Sequence, residues 1–233
     1  MNKYKRVILK ISGEALAGPE KFGIHMPTVA AVVKQLAAIH AGGVQAGVVL
    51  GGGNFWRGRQ GTDMNRTTAD HMGMLATVIN SLALADALEK AGVPTRVQTA
   101  IAINDVAEPY IVKRAIRHFE KGRIVIFSCG TGNPFFSTDT GAALRAAETG
   151  ADALLMAKNI DAVYDSDPRK NPDAKRFETI SYMDVINRGL ALMDATSITM
   201  CMENKIPIIT FGLAEKDGIV KAAHGDKIGT LIC

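Results

Sequence analysis

The string VILKIS carries a lysine, Lys10, inside the apolar run Val7–Ile11. An ammonium there has two readings. In an alternating edge strand it faces solvent; at the mouth of a crevice it neutralises a transferring phosphate. Three glycine-bearing loops favour the crevice. Ser12-Gly13 follows the Lys10 run, Gly51-Gly52-Gly53 follows a second apolar run, and Gly130-Thr131-Gly132 follows another. Glycine lets the backbone approach an anion closely, and backbone N–H groups can then hold phosphate oxygens. One such loop is also what a tight turn needs; three at the ends of predicted strands point to phosphate chemistry. Asp139, after Ser137-Thr138 at a predicted helix start, is either a helix cap or the carboxylate that orients Lys10. Arg57 and Arg59 flank Gly58, with Trp56 beside them, in the loop after the triple glycine. Asp161, Asp165 and Asp167 lie in NIDAVYDSDP, which lacks the turn glycine and closing Glu of a calcium loop.

Two common nucleotide motifs are absent. Gly13 and Gly18 have the first spacing of a P-loop, but Pro19-Glu20 stand where Gly-Lys should follow. Gly130-x-Gly132 runs into Asn133, Pro134 and Phe135, so a dinucleotide fingerprint lacks its third glycine. The five histidines show no HExxH or paired spacing, so no His-built metal site is expected.

The elements that must position these residues alternate between strand and helix patterns. Strands are predicted over 7–11, 44–50, 95–97, 124–128, 153–157 and 206–211, with a last one near Leu231. Helices are predicted over 28–41, 70–91, 108–121, 139–149, 181–188, 194–204 and 218–224. Residues 158–178 read as an irregular polar excursion. The helix over 70–91 is apolar on nearly all sides, which places it in the core or in a subunit interface. Repeated strand–helix–strand order argues a mainly parallel sheet covered by helices on both faces, with ligands at the carboxyl ends of its strands. No repeat or linker interrupts the pattern, so residues 1–233 are expected to form one domain.

Composition narrows the class. In 233 residues, hydrophobic content of 47% and charged content of 21% exclude intrinsic disorder. Lys+Arg 27 against Asp+Glu 23 gives +4, a mild bias that suits anionic ligands. At 6% aromatic, the chain lacks the rings of a single-strand-binding surface, and nucleic acid is an unlikely partner. The basic set Lys113, Arg114, Arg117, Lys121 and Arg123 would serve a nucleotide-sensing or nucleic-acid-binding regulator, though on a helix it reads first as a solvated face. Cys129, Cys201 and Cys233 are scattered, which suits reduced thiols in a cytoplasmic protein. No unbroken apolar stretch approaches the ~18 residues of a membrane helix.

Five strings together resemble the bacterial uridylate (UMP) kinases of the amino acid kinase superfamily: LKISGEAL, GGGNFWRG, MNRTTADHMGMLATVIN, GTGNPFFSTD and VYDSDPRKNP. The resemblance extends to the C-terminal KIGTLI. GTGNPFF followed by STD is the string most specific to the UMP-kinase branch.

The resemblance implies a three-layer αβα sandwich with a mainly parallel central sheet, the amino acid kinase-like fold. It implies transfer of a phosphoryl group from ATP to UMP in pyrimidine nucleotide biosynthesis, Mg²⁺ on the nucleotide phosphates, activation by GTP, inhibition by UTP, and a homohexamer. Carried over by residue, Lys10, Asp139 and Asp194 would be catalytic. ATP would meet Lys10, Ile11, Ser12, Gly13, Gly53, Arg57, Asn159, Tyr164 and Asp167. UMP would meet Gly52, Asp70, Thr131, Gly132, Asn133, Pro134, Phe135, Phe136, Ser137 and Thr138. Gly18, Pro19, Glu20, Lys21, Phe22 and Gly23 would match the segment tied to GTP activation. One string departs from the family pattern: AKNIDAVY has Ala162 for a usual glycine. Either Lys158 takes the Thr/Asn position of the adenine loop, or one residue is deleted after Asn159; the intact AKN favours the deletion and assigns the contact to Asn159. A kinase of the same fold acting on another small anion is the alternative.

Overall fold

Period-two alternation along the first strand divides the molecule. In β1 (Arg6–Ile11), Val7, Leu9 and Ile11 face one apolar core and Ile8 faces another. A strand buried on both faces is the mark of a parallel sheet covered by helices on each side. The computed structural model describes residues 2–57, 63–190 and 192–233.

After β1 come α1 (Gly13–Leu16), a 3₁₀ turn over Gly18–Glu20, α2 (Met26–Ala41), β2 (Gln45–Leu50) and α3 (Arg66–Lys90). Then follow β3 (Thr95–Thr99), β4 (Glu108–Pro109), α4 (Val112–Glu120), β5 (Ile124–Ser128), α5 (Thr138–Thr149) and β6 (Ala153–Lys158). The chain closes with β7 (Thr179–Ile180), α6 (Tyr182–Asn187), α7 (Ala195–Glu203), β8 (Ile208–Gly212), α8 (Gly218–His224) and β9 (Thr230–Ile232). The sheet order is β4-β3-β5-β2-β1-β6-β8-β9-β7. Every pair is parallel except β8 with β9. Residues of α2, α3 and α8 pack on the face of Val7 and Leu9, and residues of α4, α5, α6 and α7 pack on the face of Ile8. The expected three-layer α/β architecture is therefore present.

Several boundaries differ from the sequence reading, each for a local reason. The helix predicted from Asp70 begins a turn earlier, because Asn65 caps it by accepting from the N–H groups of Thr67 and Thr68. Asp70 consequently sits inside the helix. The helix predicted from Glu108 begins at Val112, and Glu108–Pro109 instead form the edge strand β4. Proline lacks the N–H that a central strand would need, and an edge tolerates it. The short elements α1 and β7 escaped a reading based on periodicity, since neither completes enough turns or alternations to register.

Among the described residues, α3 is the one helix long and apolar enough to cross a membrane by length and composition, but 44% of its most apolar window is buried in the fold. One side carries core residues such as Met74, Leu84 and Leu88. Leu75, Ile79 and Leu82 remain exposed on the other.

Candidate active site

Four adjacent strands, β5-β2-β1-β6, deliver their carboxyl ends to one edge of the sheet. Lys10 is on β1, Gly51–Gly53 follow β2, the loop 129–137 follows β5, and Lys158 ends β6. Alternation puts Lys10 on the face of Ile8, toward α5. Only 7% of Lys10 is exposed, so the solvent-facing edge-strand reading fails. Its Nζ lies 2.5 Å from Oδ1 of Asp139, in the first turn of α5. Lys158 leaves the neighbouring strand on the same face, and its Nζ lies 3.1 Å from Oδ2 of Asp139 and donates to the Leu192 carbonyl at 2.6 Å.

One carboxylate thus stands between two ammonium groups. Burial pushes the Asp139 carboxyl up, but Lys10 and Lys158 outweigh it and hold it below its ordinary value. Burial pulls the Lys158 ammonium down, Asp139 raises it, Lys10 lowers it further, and the net displacement is downward. The bridge itself sets two cations against one carboxylate, with Asp194 the further carboxylate acting on Lys158, and its lysines line cavities that could receive an anion.

Two cavities meet at this bridge. The first, about 540 Å³, is lined by Lys10, Ser12, Lys158, Asn159, Tyr164 and Asp167 among others. The second, about 590 Å³, is lined by Lys10, Gly52, Asp70, Thr131, Asn133 and Phe135 through Asp139. Close packing holds the glycine loops around them. A Cβ on Gly13 would come within 2.5 Å of the Gly51 carbonyl oxygen, and one on Gly52 within 2.7 Å of the Gly73 oxygen, so neither position has room for a side chain.

Ser137, not Asp139, is the cap of α5: its Oγ accepts from the N–H groups of Asp139 and Thr140. The same hydroxyl donates to Asp194, which also accepts from Thr140 Oγ1 at 2.9 Å and from the Ser197 N–H at 3.0 Å. Asp194 therefore ties the starts of α5 and α7 together at the rim of the second cavity. Asp70 accepts from the Phe135 N–H at 2.8 Å and from Arg66 Nε at 2.8 and 2.9 Å. Arg66 also lies 5.5 Å from the centre of the Phe135 ring.

Most residues singled out from the sequence converge on these cavities. The exceptions are informative. The Ile11 side chain is in the core, so only its backbone is near the site. Gly132 and Pro134 do not line either cavity. Gly53 and Arg57, grouped with Tyr164 and Asp167 by resemblance, line the second cavity and an adjoining cleft instead. Arg57 forms an ion pair with Glu14 there. Arg59 lies outside the described residues. Gly18, Lys21 and Phe22 line the adjoining cleft, where Phe22 meets Phe55 edge-to-face at 5.7 Å. Gly23 donates its N–H to the Asn54 carbonyl, and Asn54 Nδ2 donates back to the Gly23 carbonyl. Asn54 and Asn80 exchange a pair of amide hydrogen bonds, and Asn80 donates to the Gly51 carbonyl at 2.7 Å.

Sequence reasoning overlooked Lys158 as a partner of Asp139, although LLMAK carries the signal that singled out Lys10: a lysine closing an apolar strand. It also overlooked Arg66, four residues before Asp70, and the Asn54–Asn80 pair. No short-range pattern marks that pair.

A mainly parallel sheet whose strand ends hold a lysine–aspartate–lysine bridge between two cavities defines a phosphoryl-transfer enzyme. The chain belongs to the amino acid kinase family, which it matches over residues 5–212. It is similar to the UMP kinase of Bacillus anthracis, with 36% identity, 98% of this chain and 96% of that one covered, and a TM-score of 0.95. It is similar also to the UMP kinase of Ureaplasma parvum, with 38% identity, 99% of each chain covered and a TM-score of 0.92. The uridylate kinase of Archaeoglobus fulgidus, 24% identical over the full length of both chains with a TM-score of 0.76, shares the fold.

Proposed function

We propose that this chain is a UMP kinase, transferring the γ-phosphoryl group of ATP to UMP to give ADP and UDP. The observation that carries the reading is the Lys10–Asp139–Lys158 bridge at the junction of two cavities. The full-length similarity to two UMP kinases supports the choice of acceptor. ATP takes the first cavity, toward Ser12, Asn159, Tyr164 and Asp167; UMP takes the second, toward Gly52, Asp70 and residues 131–138.

The acceptor is a phosphate monoester with a second pKa of roughly 6, so it is largely a dianion at pH 7 and needs no general base. The protein's work is to align two polyanions and offset their repulsion. Lys10 meets the transferring group, and Asp139 fixes where its ammonium points. Lys158 adds a second cation from the donor side. Asp194 is a positioning residue, setting the start of α5 through Ser137 and Thr140.

The carboxylates near the bridge suit a metal carried by the substrate. Asp139 is engaged by two ammonium groups and Asp194 by two hydroxyls, so neither offers a bare carboxylate. Among the described residues, no group of three or more His, Cys, Asp or Glu is placed to hold a metal ion. Mg²⁺ on the ATP phosphates supplies charge neutralisation when bound.

The regulatory reading is GTP activation through residues 18–23 and inhibition by UTP. Its support is the reciprocal Gly23–Asn54 bonding beside the triple-glycine loop. The exposed Leu75, Ile79 and Leu82 stripe on α3 suits the proposed homohexamer, and the cytoplasm is the expected compartment. A coupled ADP-release assay with UMP against CMP, with and without GTP, tests the acceptor and the activation. Equal turnover of both acceptors would remove the UMP assignment, and a rate indifferent to GTP would remove the activation.

A further inference from the structure

Behind the acceptor loop lies a buried arginine that the chemistry above does not use. Arg145 is 4% exposed and lines neither cavity. It pairs with Glu148, and its guanidinium carbon stacks 3.7 Å from the centre of the Tyr110 ring. Tyr110 in turn donates its hydroxyl to Glu148. The remaining contact reaches the site: Nη2 donates to the Gly130 carbonyl at 3.2 Å.

That contact fixes a peptide plane. Cys129 and Gly130 both have positive φ, 66° and 56°, so the loop turns sharply there. The peptide between Gly130 and Thr131 is planar and trans, so its C=O and its N–H point in opposite directions. With the carbonyl drawn back onto Arg145, the Thr131 N–H points away from it, toward the cavity that Gly130 and Thr131 line. That N–H makes no hydrogen bond among the described residues. The same helix sets the height of the loop. A Cβ on Gly141 would come within 2.8 Å of the Gly130 Cα, and Gly141 is one turn before Arg145 on the same face of α5. Asp139 rides on the first turn of that helix.

We propose that Arg145 is a positioning residue for the acceptor: it aims the Thr131 backbone N–H at an anionic or carbonyl oxygen of the bound nucleoside monophosphate. The inference rests on the acceptor reading above. It follows that α5 sets the Lys10–Asp139 bridge and the acceptor's backbone donor in one frame.

The test measures equilibrium binding of UMP and of a non-hydrolysable ATP analogue, and KM for UMP and ATP, in the full chain and in Arg145→Lys and Arg145→Met. Folding is checked by thermal melting; Arg145→Lys keeps the charge and decides the matter if Arg145→Met fails to fold. The expected result is an acceptor Kd and KM raised roughly tenfold, the scale of one misdirected hydrogen bond to a charged group, with donor values within about twofold of the parent. A merely structural arginine would lower melting temperature and leave the ratio of acceptor to donor affinity unchanged, which overturns the proposal. A parent chain that binds no UMP overturns the acceptor reading and this inference with it. A parent that binds UMP as tightly as a folded Arg145→Lys variant overturns this inference alone.

Discussion

Residues 129–139, on the proposed acceptor side, hang on three helices, whereas residues 165–173, on the proposed donor side, bond mainly within their own loop. On the acceptor side, Cys129 N–H goes to Thr77 and Phe135 N–H to Asp70, both on α3. The Gly130 carbonyl goes to Arg145 on α5, and Ser137 goes to Asp194 at the start of α7. On the donor side, Asp167 accepts from the Arg169 N–H and Asn171 donates to Ser166. Asp165 accepts from the nearby Lys175 N–H. A wall braced by several elements keeps one geometry, while a loop bonded to itself can open locally at small cost. We read the acceptor side as the part that selects its ligand and the donor side as the part that accommodates one.

The comparison has its centre at the bridge shared by both walls. Lys10→Ala should lower kcat by at least ~10²-fold, the scale of a lost oxyanion donor, with the melting transition retained. Near-normal turnover would mean that the two cavities do not meet at a working lysine. Lys158 gives a smaller effect with a pH signature. Its ammonium titrates below its ordinary value of 10.5, so its charge is lost earlier as pH rises. The kcat profile should therefore bend downward below that pH, and Lys158→Met should show a lower plateau, roughly tenfold down, without the early bend. An unaltered profile in the variant would assign the bend elsewhere.

Asp139 is displaced in the same direction, which for a carboxyl favours the charged form. Its carboxyl lies below the ordinary 3.8 in the folded chain, so its stabilisation is complete above that pH and is lost as pH falls through the folded value. Urea midpoints of the parent chain and of Asp139→Asn, compared from pH 7 downward, should converge at the acid end.

Two milder substitutions separate the walls. Asp70→Asn weakens the hold on Arg66 and on the Phe135 N–H, and should raise KM for UMP about tenfold while KM for ATP stays put. Asp167→Ala, in an exposed self-bonded loop, should move KM for ATP by about threefold and leave the melting temperature unchanged. If Asp167→Ala instead disturbed UMP, the division into a selecting and an accommodating side would collapse.

Much of the fold was legible because parallel strands buried on both faces leave unbroken apolar runs, and because helices end at glycine, as at Gly150, where φ is 63°. The strand ends and their glycine loops followed from the same pattern, and Lys10 stood out as the charge in an apolar run. What escaped the sequence lies across the chain. Asp139 could be read as a cap because Ser and Asp are both good caps at that spacing; the structure gives the cap to Ser137 and frees the carboxylate for two lysines.

The sequence alone determined the alternation of elements, the positions of the glycine loops at the strand ends and the family. These depend on residues within a few places of one another, where backbone geometry sets the spacing. The tertiary structure decided which charges meet. Lys158 reaches Asp139 across 19 positions and Arg145 reaches Gly130 across 15, while Lys10 is brought to α5 by the order of the strands. Charge pairing over such separations is set by packing and strand register, which no local pattern encodes, and only the fold brings the buried Lys10 and the partly buried Lys158 to one aspartate.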